Sequence, residues 1–281
     1  MKKVLNLSLG SDKRDFENSF IFLDKEIYVK RIGLNGDIEK FMSFANNTRD
    51  FDAVAIGGIN STYCFGDKIW FLSQYCKLTS GFNIPIYDGQ WIKKYYEPNS
   101  LQKIIASDPS ILHKKWLVMS ALDRKGSYDY LQKNNINVIL GDIYAAFMIP
   151  FFPSHSFFKV CANVMMPIFS KMSIENFYPY KKSDKTNNGK ALLKFDVILS
   201  ETNFLLHKNI NNLCSQTIIF SRASDKDKND YALKGCKVYS LLPGEILSAN
   251  IIEAIVATTI GLHNSHHDYM FEAIKNIKIV T

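Results

Sequence analysis

Cysteine is scarce in this 281-residue chain, with five residues at Cys64, Cys76, Cys161, Cys214 and Cys236. Their odd number and the lack of any Cys-x-x-Cys pair argue against a disulfide framework or zinc site, and for reduced thiols in a cytoplasmic protein. Long hydrophobic runs are missing as well. The longest uncharged stretch, Ile143–Phe158, is interrupted by Pro150 and Pro153 and stops at Lys159, short of the roughly 20 residues of a membrane span. Met1-Lys2-Lys3 is basic, but the apolar run behind it ends at Gly10-Ser11-Asp12-Lys13-Arg14 without a cleavage site, so no export signal is expected. There is no G-x-S-x-G nucleophile turn and no cysteine placed near a histidine in a known signature. His263, His266 and His267 cluster near Gly261 and Asn264-Ser265, as at a polar helix end rather than a metal site, and no metal is expected.

A formal charge of +7 accompanies 34 basic and 27 acidic residues. Basic and acidic residues lie side by side, without a basic stripe or a nucleic-acid motif, so the balance favours a small anionic ligand over nucleic acid. Hydrophobic residues make up 47% of the chain and charged residues 22%, the composition of a folded globular protein large enough for two cores.

The most informative stretch is Lys114–Asp142. The apolar run Trp116–Met119 reads as a buried parallel strand. It is followed by Ser120-Ala121-Leu122-Asp123-Arg124-Lys125-Gly126, a short helical pattern through Leu131, and a second apolar run, Ile136–Leu140, closed by Gly141-Asp142. This is a β-α-β unit whose terminal acid lies where a dinucleotide fold places the carboxylate for the ribose hydroxyls. The turn holds one glycine, Gly126, where the dinucleotide fingerprint has three. Further strands are predicted at Phe195–Leu199, Thr217–Phe220 and Lys237–Leu242, with a last long helix over Glu245–Ile260. Polar groups at these strand ends, Ser120, Arg124, Gly126, Asp142, Glu201, Asn203, Ser221 and Arg222, are the candidates to bind NAD, and Asp142 favours an unphosphorylated ribose.

The amino-terminal part also alternates strands and turns. Val4–Leu9 ends at Gly10-Ser11, Phe20–Leu23 and Glu26–Ile32 form a hairpin, and Phe51–Ile56 ends at Gly57-Gly58-Ile59-Asn60. Ser8, Ser11, Arg14, Gly57, Gly58 and Asn60 are candidate substrate or anion ligands, because they combine cations and hydroxyls with turns that allow close backbone approach. Proton transfer is assigned to Lys13, Asp15 or Asp123, since a lysine desolvated or paired with a carboxylate can serve as acid or base.

The expected fold is therefore two α/β domains. The first, residues 1–110, binds substrate or an anion. The second, residues 111–281, is doubly wound and Rossmann-like, with an apolar helical insertion at about 143–180. Phe157–Met172, apolar almost all round and bent by Pro167, is expected between the domains, in a homodimer contact or under a lid. Lys181–Lys190 is expected to be a loop.

The segments Asn6-x-Ser8-Leu9-Gly10-Ser11-x-Lys13-Arg14-Asp15, Gly57-Gly58-Ile59, Ser120-Ala121-x-Asp123-Arg124-x-Gly126 and Gly141-Asp142 together resemble a little-characterised bacterial family labelled quinate 5-dehydrogenase. The resemblance extends over nearly the whole chain. It implies the two-domain layout of shikimate and quinate dehydrogenases, with NAD as cofactor. It departs from them in lacking both their glycine-rich turn and their Asn-Val-Thr-x-Pro-x-Lys substrate motif. The leading expectation is a cytoplasmic oxidoreductase passing hydride between NAD and a small polar hydroxy acid, with Lys13 and Asp142 on opposite walls of an interdomain cleft. The alternatives are a transferase or lyase acting on a phosphorylated or carboxylated metabolite without nicotinamide, and a metabolite sensor or scaffold.

Overall fold

The computed structural model describes residues 1–173, 190–201, 213–262 and 267–280. In chain order the elements are β1 Lys2–Ser8, β2 Phe16–Phe22, β3 Lys25–Gly33, α1 Ile38–Ser43, β4 Ala53–Gly57, β5 Thr62–Phe65, β6 Lys68–Phe71, α2 Ser73–Thr79 and β7 Ile86–Tyr87. A π-helix, Ile92–Tyr96, leads into α3 Glu97–Ser107, β8 Trp116–Val118, α4 Lys125–Lys133, β9 Val138–Leu140, α5 Asp142–Phe147 and α6 His155–Phe169. The remaining elements are β10 Val197–Ser200, β11 Thr217–Phe220, α7 Asp225–Ala232, β12 Lys237–Ser240, α8 Ala249–Ile260, α9 His267–Lys275 and β13 Lys278–Ile279. The expected loop at Lys181–Lys190, apart from its last residue, lies outside the described residues, as do Asn203, His263 and His266.

The fold is α/β with two main sheets, besides a two-stranded antiparallel pair of β5 and β6. The second main sheet is five-stranded and wholly parallel, in the order β12-β11-β10-β8-β9. Strands β8 to β11 are mainly apolar because both faces are covered, whereas the edge strand β12, Lys237-Val238-Tyr239-Ser240, is only partly buried. Trp116, Val118, Val197 and Leu199 enter one core, while Leu117, Met119, Ile198 and Ile218 enter the other. The β-α-β unit read from Lys114–Asp142 is present as β8–α4–β9. Trp116 is fully buried and its indole N–H donates to the Ile111 carbonyl at 2.8 Å.

The first sheet is mixed, in the order β13-β2-β3-β1-β4-β7. The β2–β3 hairpin is antiparallel, whereas β1 runs parallel to both β3 and β4. The carboxy-terminal segment corrects the expected division at residue 110. β13 pairs with β2, and α8 packs Ile251, Ile252 and Ile255 against Val4, Val29 and Ala55 of the first sheet. The chain thus crosses to the second sheet through the π-helix and α3, and returns after β12. The return is driven by burial: every residue from Ala249 to Val256 is buried, so α8 requires protein on all sides.

α6 is amphipathic rather than enclosed. It buries Phe158, Ala162 and Met166, while Phe157, Val160, Val164 and Ile168 remain exposed. The face expected in a dimer contact is therefore open to solvent in the single chain. Among the described residues no helix is long and apolar enough to cross a membrane.

Two features of this packing have measurable consequences. A Cβ on Gly126 would stand 2.6 Å from the carbonyl oxygens of both Lys93 and Lys94. Backbone cannot yield as a flexible side chain can, so Gly126→Ala should destabilise the protein by about 1–3 kcal/mol, read as a melting temperature lowered by several degrees. The second feature is Glu253 on α8, 6% exposed and accepting from the Trp91 N–H at 3.1 Å. Burial, and then the Asp88 charge, push its pKa up to about 8. A carboxyl group whose folded pKa is raised stabilises the fold below its unfolded pKa, and that contribution is lost as pH climbs through the folded value. Glu253→Gln, which can still accept from Trp91, should raise the melting temperature at about pH 8.5 and flatten its decline between about pH 5 and that point. An unchanged pH profile would contradict this.

Candidate functional site

In open parallel sheets a ligand crevice forms where neighbouring strands send their connections in opposite directions. In the second sheet this occurs between β8 and β10, and in the first between β1 and β4. The carboxyl ends of these strands carry Ser120–Arg124, Ser200-Glu201, Ser8–Ser11 and Gly57–Asn60. Side chains from the two units meet at a polar seam between these edges.

Lys93, on the π-helix, is the centre of the seam. It is 8% exposed, and its ammonium donates to Asp123 Oδ1 at 2.6 Å and to Asn60 Oδ1 at 2.8 Å. The Asn60 amide in turn donates to Asp123 Oδ1 at 2.7 Å. Burial alone would raise the Asp123 pKa, but Lys93 and Arg124, with the hydrogen bonds from Lys93 and Asn60, hold it below the ordinary carboxylate value. Tyr63 borders the pair, and its phenol is pushed up by burial and then by the Asp123 charge. A π-turn widens the helix and changes the direction of its side chains, and such turns recur at functional sites.

A second network lies beside it. Arg124, 2% exposed, is ion-paired with both Glu97 and Glu201, and Ser221 Oγ donates to Glu97 at 3.2 Å. Asp142 belongs to the same loop, but not in the role expected from the sequence. Its two oxygens accept from the Ala121 and Leu122 N–H groups, each at 3.0 Å, and it is 8% exposed. Burial, with a further contribution from Asp123, pushes its pKa up to about 7. Asp142 braces the β8–α4 turn and does not present its carboxylate to a ribose.

The expected cofactor position is also filled. A dinucleotide would place its pyrophosphate against the first amides of α4. There the π-helix carbonyls of Lys93 and Lys94 pack directly on Gly126, and Ser127 is fully buried. These residues do not fit a dinucleotide in that place, and the lone glycine serves contact between two backbones.

The third group is basic. Asp15 accepts from Arg31 Nη1 at 2.6 Å and from the Gly33 N–H at 2.6 Å, so it orients an arginine rather than standing ready as a base. Lys13 is exposed on the 3-10 turn Asp12–Arg14, not desolvated as a proton-transfer lysine is expected to be. Ser11 caps that turn by accepting from the Lys13 N–H at 3.2 Å. Arg14 and Arg31 converge on Gly10 beside Ser8, while Arg222 donates to the Ile246 carbonyl at 2.5 Å just ahead of α8. Gly58 is exposed with φ 87°, a left-handed conformation that suits glycine. Ser120 accepts the Arg124 N–H through its carbonyl at 3.0 Å.

Of the residues singled out in the sequence, Ser8, Arg14, Gly57, Asn60, Asp123, Arg124, Glu201, Ser221 and Arg222 gather at the seam. Lys93, Glu97, Arg31 and Asn250 escape a reading of the sequence. They sit in segments that read as core or hairpin, and only charge within an otherwise apolar segment, such as Lys93-Lys94 between Trp91-Ile92 and Tyr95-Tyr96, could signal them.

Comparison with solved structures returns low similarity. A periplasmic sugar-binding protein of an ABC transporter from Legionella pneumophila is 12% identical at a TM-score of 0.40, covering 93% of this chain and 97% of that one. An NAD-dependent malic enzyme from Thermotoga maritima is 12% identical at 0.35, with 99% and 85% covered. A dipicolinate synthase chain from Bacillus halodurans is 13% identical at 0.33, with 92% and 97% covered. No curated protein matches the sequence. Residues 3–88 match the model described as domain of unknown function DUF8753, which ends where the first sheet gives way to the π-helix. Residues 91–280, more than half of the chain, match the model of the domain of unknown function DUF8754, and the protein belongs to that family.

Proposed function

We propose that the protein is an enzyme acting on a small polar hydroxy acid at the seam between its two sheets, with Lys93 and Asp123 as the proton-transfer pair. The supporting observation is the 2.6 Å contact of a buried lysine with a buried carboxylate at the β8–β10 crevice. An ammonium has three N–H donors. Asp123 and Asn60 engage two of them, leaving the third for a hydroxyl or carbonyl oxygen of the substrate. A proton can then pass between that oxygen and Nζ, with Asp123 stabilising the charged amine. Lys93 thus takes the part that the sequence assigns to Lys13. Both side chains are about one-tenth exposed, so substrate entry requires the two edges to part, as in hinge closure around a ligand.

The resemblance to quinate dehydrogenases implies hydride exchange with NAD as the form of this chemistry. The covered amino end of α4 instead favours the second reading, a lyase or transferase working without nicotinamide. Calorimetric titration with NAD+ and NADH separates them. Saturable binding supports the oxidoreductase, and no heat at millimolar cofactor, together with turnover of a hydroxy acid, supports the second.

Lys93→Met should abolish turnover. It also strands a buried carboxylate, and should destabilise the fold by about 3–5 kcal/mol. Asp123→Asn should do likewise by stranding the lysine. The double variant should lose less than the two singles added together, because neither charge is left unpaired. Additive losses in denaturant titrations, or turnover by Lys93→Met, would remove the pair from this role.

A further inference from the structure

The sheet edges hold a second cluster that the proton-transfer pair does not use. A Cβ built on Gly10 would lie 3.2 Å from Ser8 Oγ, 3.4 Å from Arg14 Nη2 and 3.9 Å from Arg31 Nη2. One built on Gly57 would lie 3.0 Å from the same Ser8 Oγ and 3.5 Å from Asn250 Nδ2. Ser8 therefore links the two arginines to the first turn of α8, and Arg222, held on the Ile246 carbonyl, lies near enough to feel the charges of Arg14 and Arg31. Asn250 is 6% exposed, and its Nδ2 is a buried donor without a hydrogen-bond partner, while its Oδ1 is engaged by Ser248 Oγ at 2.5 Å. An unmet buried donor is unfavourable unless something accepts from it.

We propose that Arg14, Arg31 and Arg222, together with Ser8 Oγ and Asn250 Nδ2, form a subsite for the phosphate group of a phosphorylated metabolite. This deepens the assignment of the seam as the substrate site and rests on it, making the substrate class a phosphorylated hydroxy acid. Guanidinium groups present planar forks of donors that match phosphate oxygens. Ser8 Oγ accepts the Gly10 N–H at 3.1 Å, so its hydroxyl proton can donate to a ligand.

The electrostatics agree. Burial, then Arg14 and Arg31, push the Arg222 pKa down to about 10, and burial followed by Arg14 lowers that of Arg31. Asp15 and Asp12 act on Arg31, and Asp227 acts on Arg222, yet these carboxylates do not cancel the depression. A bound dianion would relieve this repulsion, and no such gain is available to a neutral ligand.

Titration calorimetry on the full chain at low ionic strength tests the subsite with inorganic phosphate, glycerol 3-phosphate and glycerol. The first two should bind saturably and raise the melting temperature, and glycerol should not. Tighter binding of the ester would identify a metabolite group, and tighter binding of inorganic phosphate a free-anion site; both support the subsite. Arg222→Gln should weaken either phosphate roughly tenfold or more. Ser8→Ala, which keeps all the charges, should weaken it less. Should Arg222→Gln fail to fold, Arg222→Lys keeps the charge, loses the fork and should still weaken binding. Absence of saturable phosphate binding, or equal affinity in the folded Arg222 variants, would overturn the subsite. Failure of the proton-transfer assignment would read differently, as turnover surviving Lys93→Met with phosphate binding still dependent on Arg222.

Discussion

A lysine ammonium withdrawn from water between two sheets sets the terms for everything around it. Removing such a charge from solvent costs several kcal/mol and is tolerated only with close partners. Lys93 finds them on both sides, Asn60 from the first unit and Asp123 from the second. The same requirement extends outward: Arg124 needs Glu97 and Glu201, and Glu97 also takes the Ser221 hydroxyl. The seam is thus a continuous set of paired charges. Its members come from the linker, both sheets and the loops after β8, β10 and β11, so the relative placement of the units is fixed by electrostatic satisfaction as much as by apolar contact.

Asp142 shows how such a constraint reassigns a residue. An acid after the second strand of a β-α-β unit can serve a ribose, but here two backbone amides of the preceding loop claim it. That bracing holds the turn which carries Asp123 and Arg124. The supposed cofactor ligand therefore acts one step behind the seam, by positioning the residues that reach it.

Much of the architecture is legible in the sequence. Continuous apolar runs identify the parallel strands of the second sheet, and the hairpin of β2 and β3 follows from alternation around Asp24-Lys25. Strand ends supply Ser8, Arg14, Asn60, Asp123 and Arg222, because the carboxyl ends of parallel strands are where such residues collect. The return of α8, α9 and β13 to the first sheet is not legible, since an apolar helix carries no mark of which sheet it covers. Lys93 is hidden for a related reason. Trp91, Ile92, Tyr95 and Tyr96 around it read as core, and the π-turn that aims the lysine has no simple sequence signature. Lys13 stands out in the sequence for its charged neighbourhood, which is what leaves it solvated.

The discontinuous first sheet also sets an order for biosynthesis. Strands β1 to β7 leave the ribosome before the second sheet, but the helix that seals one of their faces and the strand that flanks β2 are translated after it. The parallel second sheet, contiguous in the chain, has all its strands before then and can close on its own core. The amino-terminal strands must meanwhile wait with an apolar face uncovered, the kind of transient exposure that draws in chaperones. The sheet begun before its neighbour is completed after it.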